Sequence, residues 1–272
     1  MTTSTDVTNI LSYLNDETID YKSSLDIISV INLIDRITQT NHNYESIYSI
    51  VDRILSIYPK FDMKSNANSN SSIAGLLTLL ERLSQNLIFN DLEKYIHKTN
   101  LLISIVNQPN HRPNAVLGFS FGISLLLISH SINKNHYLDS LNNEITTLHS
   151  TEPSANSTYI LLDRQTIAKQ NRLVFSVFNE RSGLFDHEHY RLLTQLISLT
   201  VDKPESIETV RIHFPLENRF QETNQTIYCA FWNLTGNRTN QWSTDGCYLD
   251  ELTNSSVTCV CNHLTHFAIL MV

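Results

Sequence analysis

An α+β chain, with helices first and a β-sandwich after them, is what this sequence predicts, on three observations. Apolar residues recur at helical spacing through roughly the first third of the chain. From about Leu101 they gather instead into short runs separated by polar connectors. All four cysteines fall between Cys229 and Cys261, so the β part closes in a region held by local disulfides. With 272 residues, 41% apolar and 17% charged, the chain is long and apolar enough for a packed core. The net charge of −8, without a basic stripe, excludes a nucleic-acid grip.

The helical part is read from its stripes. Leu25, Ile28, Ile31, Leu33, Ile34 and Ile37 mark one helix, with Ser23 and Asp26 placed as a capping box. Ile47, Ile50, Val51, Ile54 and Leu55 follow the i, i+3, i+4, i+7, i+8 pattern of one apolar face, and Pro59 ends that helix. After the polar loop KSNANSNSS, the residues Ile73, Leu76, Leu77, Leu80, Leu83, Leu87 and Ile88 mark a third. These stripes are core packing and carry no chemistry.

The strand part follows from LLISIVN, TYILL, RLVFSVF, ETVRIHF, TIYCAFW and HFAILMV. In ETVRIHF, Val210, Ile212 and Phe214 alternate with Thr209, Arg211 and His213, as in a half-buried strand. The change of texture puts the boundary at 100–112. The uncharged run from Asn114 to Asn133 is densely apolar only over Ala115–Ile128, which holds serines and two glycines. A membrane span needs about 20 mostly apolar residues, so the run is expected to be buried strand and no transmembrane segment is expected. The start, MTTSTDVTNILSYLND, lacks a basic opening and an apolar core, so no signal peptide is expected. An extracellular setting would then make the chain a fragment or an excised domain.

An oxidising compartment is nevertheless indicated by the even, clustered cysteines and by the acceptor triplets at Asn70, Asn156, Asn224, Asn233, Asn237 and Asn254. Zinc is the competing explanation for the cysteines. Structural zinc sites present paired ligands at C-x2–4-C, whereas Cys259 and Cys261 are separated by a single residue and the other gaps are long. On a strand, residues two apart share a face, so Cys259 and Cys261 can each reach a different partner. Four cysteines permit three pairings. Trp232 and Trp242 are expected in the core, each indole N–H seeking an acceptor. DHEHY at 186–190 lacks the H-E-x-x-H spacing of a zinc helix and is expected to be loop; six scattered glycines offer no phosphate loop. No metal or cofactor is expected.

The chemistry sits in His263-Leu264-Thr265. A threonine hydroxyl is a weak nucleophile until a base takes its proton. An imidazole with a pKa near ~6.5 suits that role at neutral pH. If the chain turns sharply at Leu264, the hydroxyl of Thr265 can attack the Leu264 carbonyl, and the N→O acyl shift replaces the amide by an ester that water hydrolyses. Nucleophile and carbonyl belong to one chain, so proximity is supplied in advance. A strained peptide in a disulfide frame would assist. The triplet alone is commonplace; its frame is not.

That frame, C-x-x-W, W, G-C and C-x-C-x-H-L-T-x-F, spans CAFWNLTGNRTNQWSTDGCYLDELTNSSVTCVCNHLTHFAILMV. It resembles the GPCR proteolysis site (GPS) of adhesion G-protein-coupled receptors, and the chain as a whole is similar to a latrophilin-like GAIN domain. RQTIAKQNRLVFSVFNERSGLF and the helical first half sit where such a domain has them. The resemblance implies a helical subdomain A at 1–105 and a β-sandwich subdomain B at 106–272, including the GPS motif at 229–272. It implies the pairs Cys229–Cys259 and Cys247–Cys261. It implies one self-cleavage between Leu264 and Thr265, with His263 as base, rather than a turnover enzyme. The tail THFAILMV would be a last strand that stays bound after the cut and serves as tethered agonist, with Thr265, Phe267, Leu270 and Met271 as its key positions. His266 replaces the asparagine common there. The implied partners are the seven-transmembrane domain of the same receptor and extracellular protein ligands, at the outer side of the plasma membrane. A non-cleaving ectodomain module and a polycystin-like membrane protein are the alternatives.

Overall fold

The computed structural model describes residues 4–16, 24–38, 44–57, 67–108, 118–123, 143–148, 155–178, 185, 190–204, 207–216, 226–234 and 241–272. The side chains of a few residues near the ends of these elements lie outside the description. Four helices come first: α1 (Ser4–Leu14), α2 (Ser24–Thr38), α3 (Tyr44–Ile57) and α4 (Ala67–Asn86). The α3 stripe of Ile47, Ile50, Val51, Ile54 and Leu55 is buried throughout, as are Ile73, Leu76, Leu77, Leu80 and Leu83 of α4. Ser23, Asp26 and Pro59 lie outside the described side chains.

An antiparallel sheet carries β1 (Glu93–His97), β2 (Leu101–Asn107), β6 (Arg172–Phe178), β8 (Leu196–Val201), β14 (His266–Met271), β10 (Ile227–Asn233) and β11 (Gln241–Ser243), in that order, and β7 (Arg191–Leu192) also pairs with β14. A second sheet carries β12 (Cys247–Leu252), β13 (Ser256–Cys261), β9 (Val210–Pro215), β5 (Thr158–Leu162), β3 (Gly118–Ile123) and β4 (Asn143–Leu148). The short helix α5 (Arg164–Ala168) starts on the Asp163 carboxylate, which accepts from Thr166 N at 2.8 Å.

The first sheet is therefore covered on both faces. One core joins the helices to Ile103, Val174, Phe178, Leu196, Ala230, Trp232, Ala268 and Leu270. The other fills the space between sheets with Phe119, Ile160, Phe175, Ile197, Ile212, Phe231, Phe267 and Ile269. Successive side chains on a strand point to opposite faces, so each central strand feeds both cores.

The helix-to-strand change comes between Asn86 and Glu93, ahead of the 100–112 region that composition singles out. Arg172 of β6 ends α4 by donating to the carbonyls of Ser84, Gln85 and Leu87 at 3.3, 2.5 and 2.8 Å, three acceptors the helix end leaves unpaired. Within β1 only Ile96 is buried, so the strand exists through its five-residue ladder with β2 rather than through an apolar pattern. Both β1 and most of β2 fall inside the 1–105 span and pair into the sheet. The apolar run yields β3 at Gly118–Ile123, and its remainder lies outside the described residues. A Cβ at Gly118 would lie 2.0 Å from the Ile160 carbonyl oxygen, so the close approach of β5 requires glycine there. Among the described residues no helix is long and apolar enough to cross a membrane. His213 departs from the expected alternation. It is buried, stacks on Tyr159 at 4.6 Å, and its ring nitrogens meet Thr258 Oγ1 and the Ala155 carbonyl, both at 3.1 Å.

Candidate functional site

The strand β13 belongs to one sheet and β14 to the other, and residues 262–265 alone connect them. The His-Leu-Thr triplet thus occupies a short crossing between two layers. The crossing is clamped at its entry. Cys259 of β13 is bonded to Cys229 of β10 across the sandwich, with a Cα–Cα distance of 5.8 Å. Cys261 is bonded to Cys247, its register partner on β12, with Cα atoms 4.1 Å apart. The two cysteines of the C-x-C pair therefore reach different strands, one in each sheet.

His263 is half-buried. Its ring stands edge-on to Phe231 at 4.3 Å and is tilted to Phe267 at 5.9 Å. Nδ1 lies 2.9 Å from Asn262 Oδ1, and Nε2 is buried without a hydrogen-bond partner among the described residues. Burial holds the imidazole pKa below its ordinary value, which favours the neutral ring. Leu264 packs against the core between the sheets. The Thr265 hydroxyl donates to the Trp232 carbonyl at 3.3 Å, not to the imidazole. Base and nucleophile share the crossing, yet the hydroxyl is turned toward β10. Positive φ does not mark the triplet: among the described residues only Gln108 and Gly246 have it.

The strand after the triplet is buried at all six positions. Ala268 and Leu270 join the helix-side core, and Phe267 and Ile269 the core between sheets. That two-sided burial explains the unbroken apolar run. Along one edge β14 pairs with β10 from Ile227↔Met271 to Trp232↔His266. Along the other it meets β8 and β7 with a break between them, where Ile269 N donates to Thr194 Oγ1 at 3.0 Å and Leu193 N donates to the Ile269 carbonyl at 2.9 Å. A side-chain hydroxyl stands in for a ladder carbonyl.

His266 is 1% exposed and faces α4, where Glu81 Oε1 lies 3.7 Å from its Nδ1. Burial pushes His266 down to about 3 and Glu81 up to about 7, the latter opposed by a hydrogen bond from Thr200. Sequence reasoning singled out His266 as a substitution and missed Glu81, which no local pattern connects to it. Trp242 Nε1 donates to the Phe185 carbonyl at 3.0 Å, whereas Trp232 Nε1 is buried without a partner among the described residues.

Asn156 and Asn254 are exposed and Asn233 is half-buried at the end of β10. Asn224, Asn237, His187 and His189 lie outside the described residues, as does the side chain of Asn70. Among the described residues no group of three or more His, Cys, Asp and Glu could hold a metal ion.

A family model described as GPS: GAIN subdomain B matches residues 124–272. The chain is similar to human adhesion G protein-coupled receptor L4, 38% identical over 87 residues, which are 31% of this chain and 13% of that protein. It is similar to the Danio rerio receptor of the same name, 49% identical over 97 residues, 33% of this chain and 13% of that protein. The chain thus spans only a small part of the length of these relatives. The full extracellular region of zebrafish Gpr126/Adgrg6 shares the fold, with a TM-score of 0.66 over 97% of this chain and 34% of that one at 16% identity.

Proposed function

The chain belongs to the GPS family as a GAIN domain of the adhesion G-protein-coupled receptors, and from that premise we propose that it cleaves itself once, between Leu264 and Thr265. The observation that carries this reading is an imidazole whose buried Nε2 has no hydrogen-bond partner among the described residues, two residues before a threonine, on a crossing clamped by two disulfides.

The Thr265 hydroxyl leaves the Trp232 carbonyl and gives its proton to His263 Nε2 as Oγ1 attacks the Leu264 carbonyl carbon. The C–N bond breaks, the proton passes to the amino group of Thr265, and an ester joins Leu264 to Oγ1. Water hydrolyses the ester, leaving a carboxylate on Leu264 and a new amino terminus on Thr265. No second substrate enters and no turnover follows. The strand β14 then stays in place through its ladders and its two-sided burial. Its exposure, with Thr265, Phe267, Leu270 and Met271 as the presented residues, is the agonist signal to the seven-transmembrane domain of the same receptor. The setting is the outer face of the plasma membrane, with N-glycans at Asn70, Asn156, Asn224, Asn233, Asn237 and Asn254 and with extracellular proteins as further ligands. A helical subdomain and a sandwich subdomain form the unit that holds the strand.

One observation favours a second reading, a non-cleaving ectodomain module: the Thr265 hydroxyl bonds to Trp232 and not to His263. Denatured intact mass of the secreted, deglycosylated chain separates the two. Loss of the peptide Thr265–Val272 from the wild type but not from Thr265→Ala is the expected result. A wild type of full mass would leave the module reading in its place.

A further inference from the structure

The pair of dipeptides flanking the second disulfide does more than join two strands. Gly246 precedes Cys247, and Asn262 follows Cys261. The disulfide ties the cysteines, and Asn262 N donates to the Gly246 carbonyl at 2.9 Å. Gly246 has φ 79°, and a Cβ there would lie 2.3 Å from Asn262 Oδ1. Residue 246 must therefore lack a side chain both for its own backbone and for the Asn262 amide to lie where it does. That amide is aimed at the candidate base, with Oδ1 2.9 Å from His263 Nδ1.

We infer that Asn262 is a positioning residue that fixes the tautomer of His263, its Oδ1 accepting from Nδ1–H so that Nε2 carries the lone pair. This inference rests on the self-cleavage reading for its use, though not for its geometry. The opposite arrangement, with the amide nitrogen donating to Nδ1, would put the ring proton on Nε2. Nε2 is buried with no acceptor among the described residues, and an orphaned buried N–H is rarer than an under-used acceptor. Phe231, roughly perpendicular to the ring, and Phe267 beyond it supply no polar atom to hold the proton instead. As His263 takes the hydroxyl proton it becomes charged, and the Nδ1–H bond to Oδ1 strengthens with it. Asn262 thus sets which nitrogen is the base and stabilises the ring after it has acted. Neither cysteine spacing nor the triplet reveals this, because the asparagine is oriented through Gly246 on another strand end.

Asn262 is exposed, so its replacement leaves both cores intact. The first measurement is the tautomer of His263, read from nitrogen–proton correlations of ¹⁵N-histidine in the uncut Thr265→Ala chain. The expected pattern above the imidazole pKa is Nδ1–H alone, lost on adding Asn262→Ala and kept with Asn262→Asp. The second is the cleavage time course with Thr265 intact. Asn262→Ala should slow it about ten- to hundredfold, the range of a hydrogen bond to a group that becomes charged. Asn262→Asp should cleave with its pH–rate midpoint moved upward, since a carboxylate favours the imidazolium. An unchanged tautomer in Asn262→Ala, or an Asn262→Ala chain that cleaves at the wild-type rate, overturns the inference. A wild type that never cleaves but shows the Asn262-dependent tautomer upholds the positioning and removes the self-cleavage reading alone.

Discussion

Replacing Glu81 by glutamine should make the stability of this domain fall in mild acid where the wild type holds steady. Glu81 on α4 and His266 on β14 form a contact beneath the last strand, 3.7 Å between Oε1 and Nδ1. Burial raises the Glu81 pKa from 4.5 to about 7 and lowers that of His266 from 6.5 to about 3. The raised carboxyl contributes stability that is present below pH 4.5 and lost as pH rises through about 7. The depressed imidazole contributes stability that is present above pH 6.5 and lost as pH falls toward about 3. Between pH 4.5 and 6.5 the two cancel, because the folded pair and the unfolded pair each hold one proton. The glutamine amide of the Glu81→Gln chain has no proton to gain. Relative to wild type, Glu81→Gln should therefore lose about 2 kcal/mol between pH 6.5 and 4.5, two pH units at ~1.4 kcal/mol each, less the incomplete titration near pH 6.5. Urea unfolding followed by Trp232 and Trp242 fluorescence, with Thr265→Ala in both chains to keep the backbone whole, measures the difference. Parallel pH curves for the two chains would refute the reasoning.

Self-cleavage should have its pH–rate midpoint below 6.5, because burial holds His263 below its ordinary value; a time course of freshly made precursor with its midpoint above pH 6.5 would contradict this. Arg172→Ala should cost about 2–4 kcal/mol in chemical denaturation, since it strips charged donors from the Ser84, Gln85 and Leu87 carbonyls and from Asn107 Oδ1. Thr194→Val keeps the volume but removes the acceptor for the buried Ile269 amide, at a cost of about 1–3 kcal/mol. In the cleaved domain the same change should speed loss of the Thr265–Val272 peptide under native conditions, read by size-exclusion chromatography followed by mass analysis; unaltered release would show that the hydroxyl does not hold the strand.

Period alone made much of this architecture readable. The α3 stripe and the runs of β2, β6 and β14 bury the residues they promise, since a 3.6-residue or two-residue repeat commits a side chain to a face before any partner is known. The cysteine cluster likewise announced a clamped C-terminal region, and its frame marked the H-L-T triplet as the candidate site. β1 and β12 were not legible, because they bury too little to leave a pattern; β12 is largely exposed and exists through its ladder with β13. The helix boundary at Asn86 was decided by Arg172, a residue far along the chain. His213 and His266 look alike in sequence, each directly before a phenylalanine, yet one is satisfied by Thr258 and Ala155 while the other meets a carboxyl from α4. Only the tertiary structure decided that the triplet lies on a crossing between sheets, that the Thr265 hydroxyl turns to Trp232, and that Gly246 seats Asn262 against the imidazole. Periodicity records which face of an element is buried; it carries no information about which distant polar atom arrives there, and the geometry of the candidate site depends on that arrival.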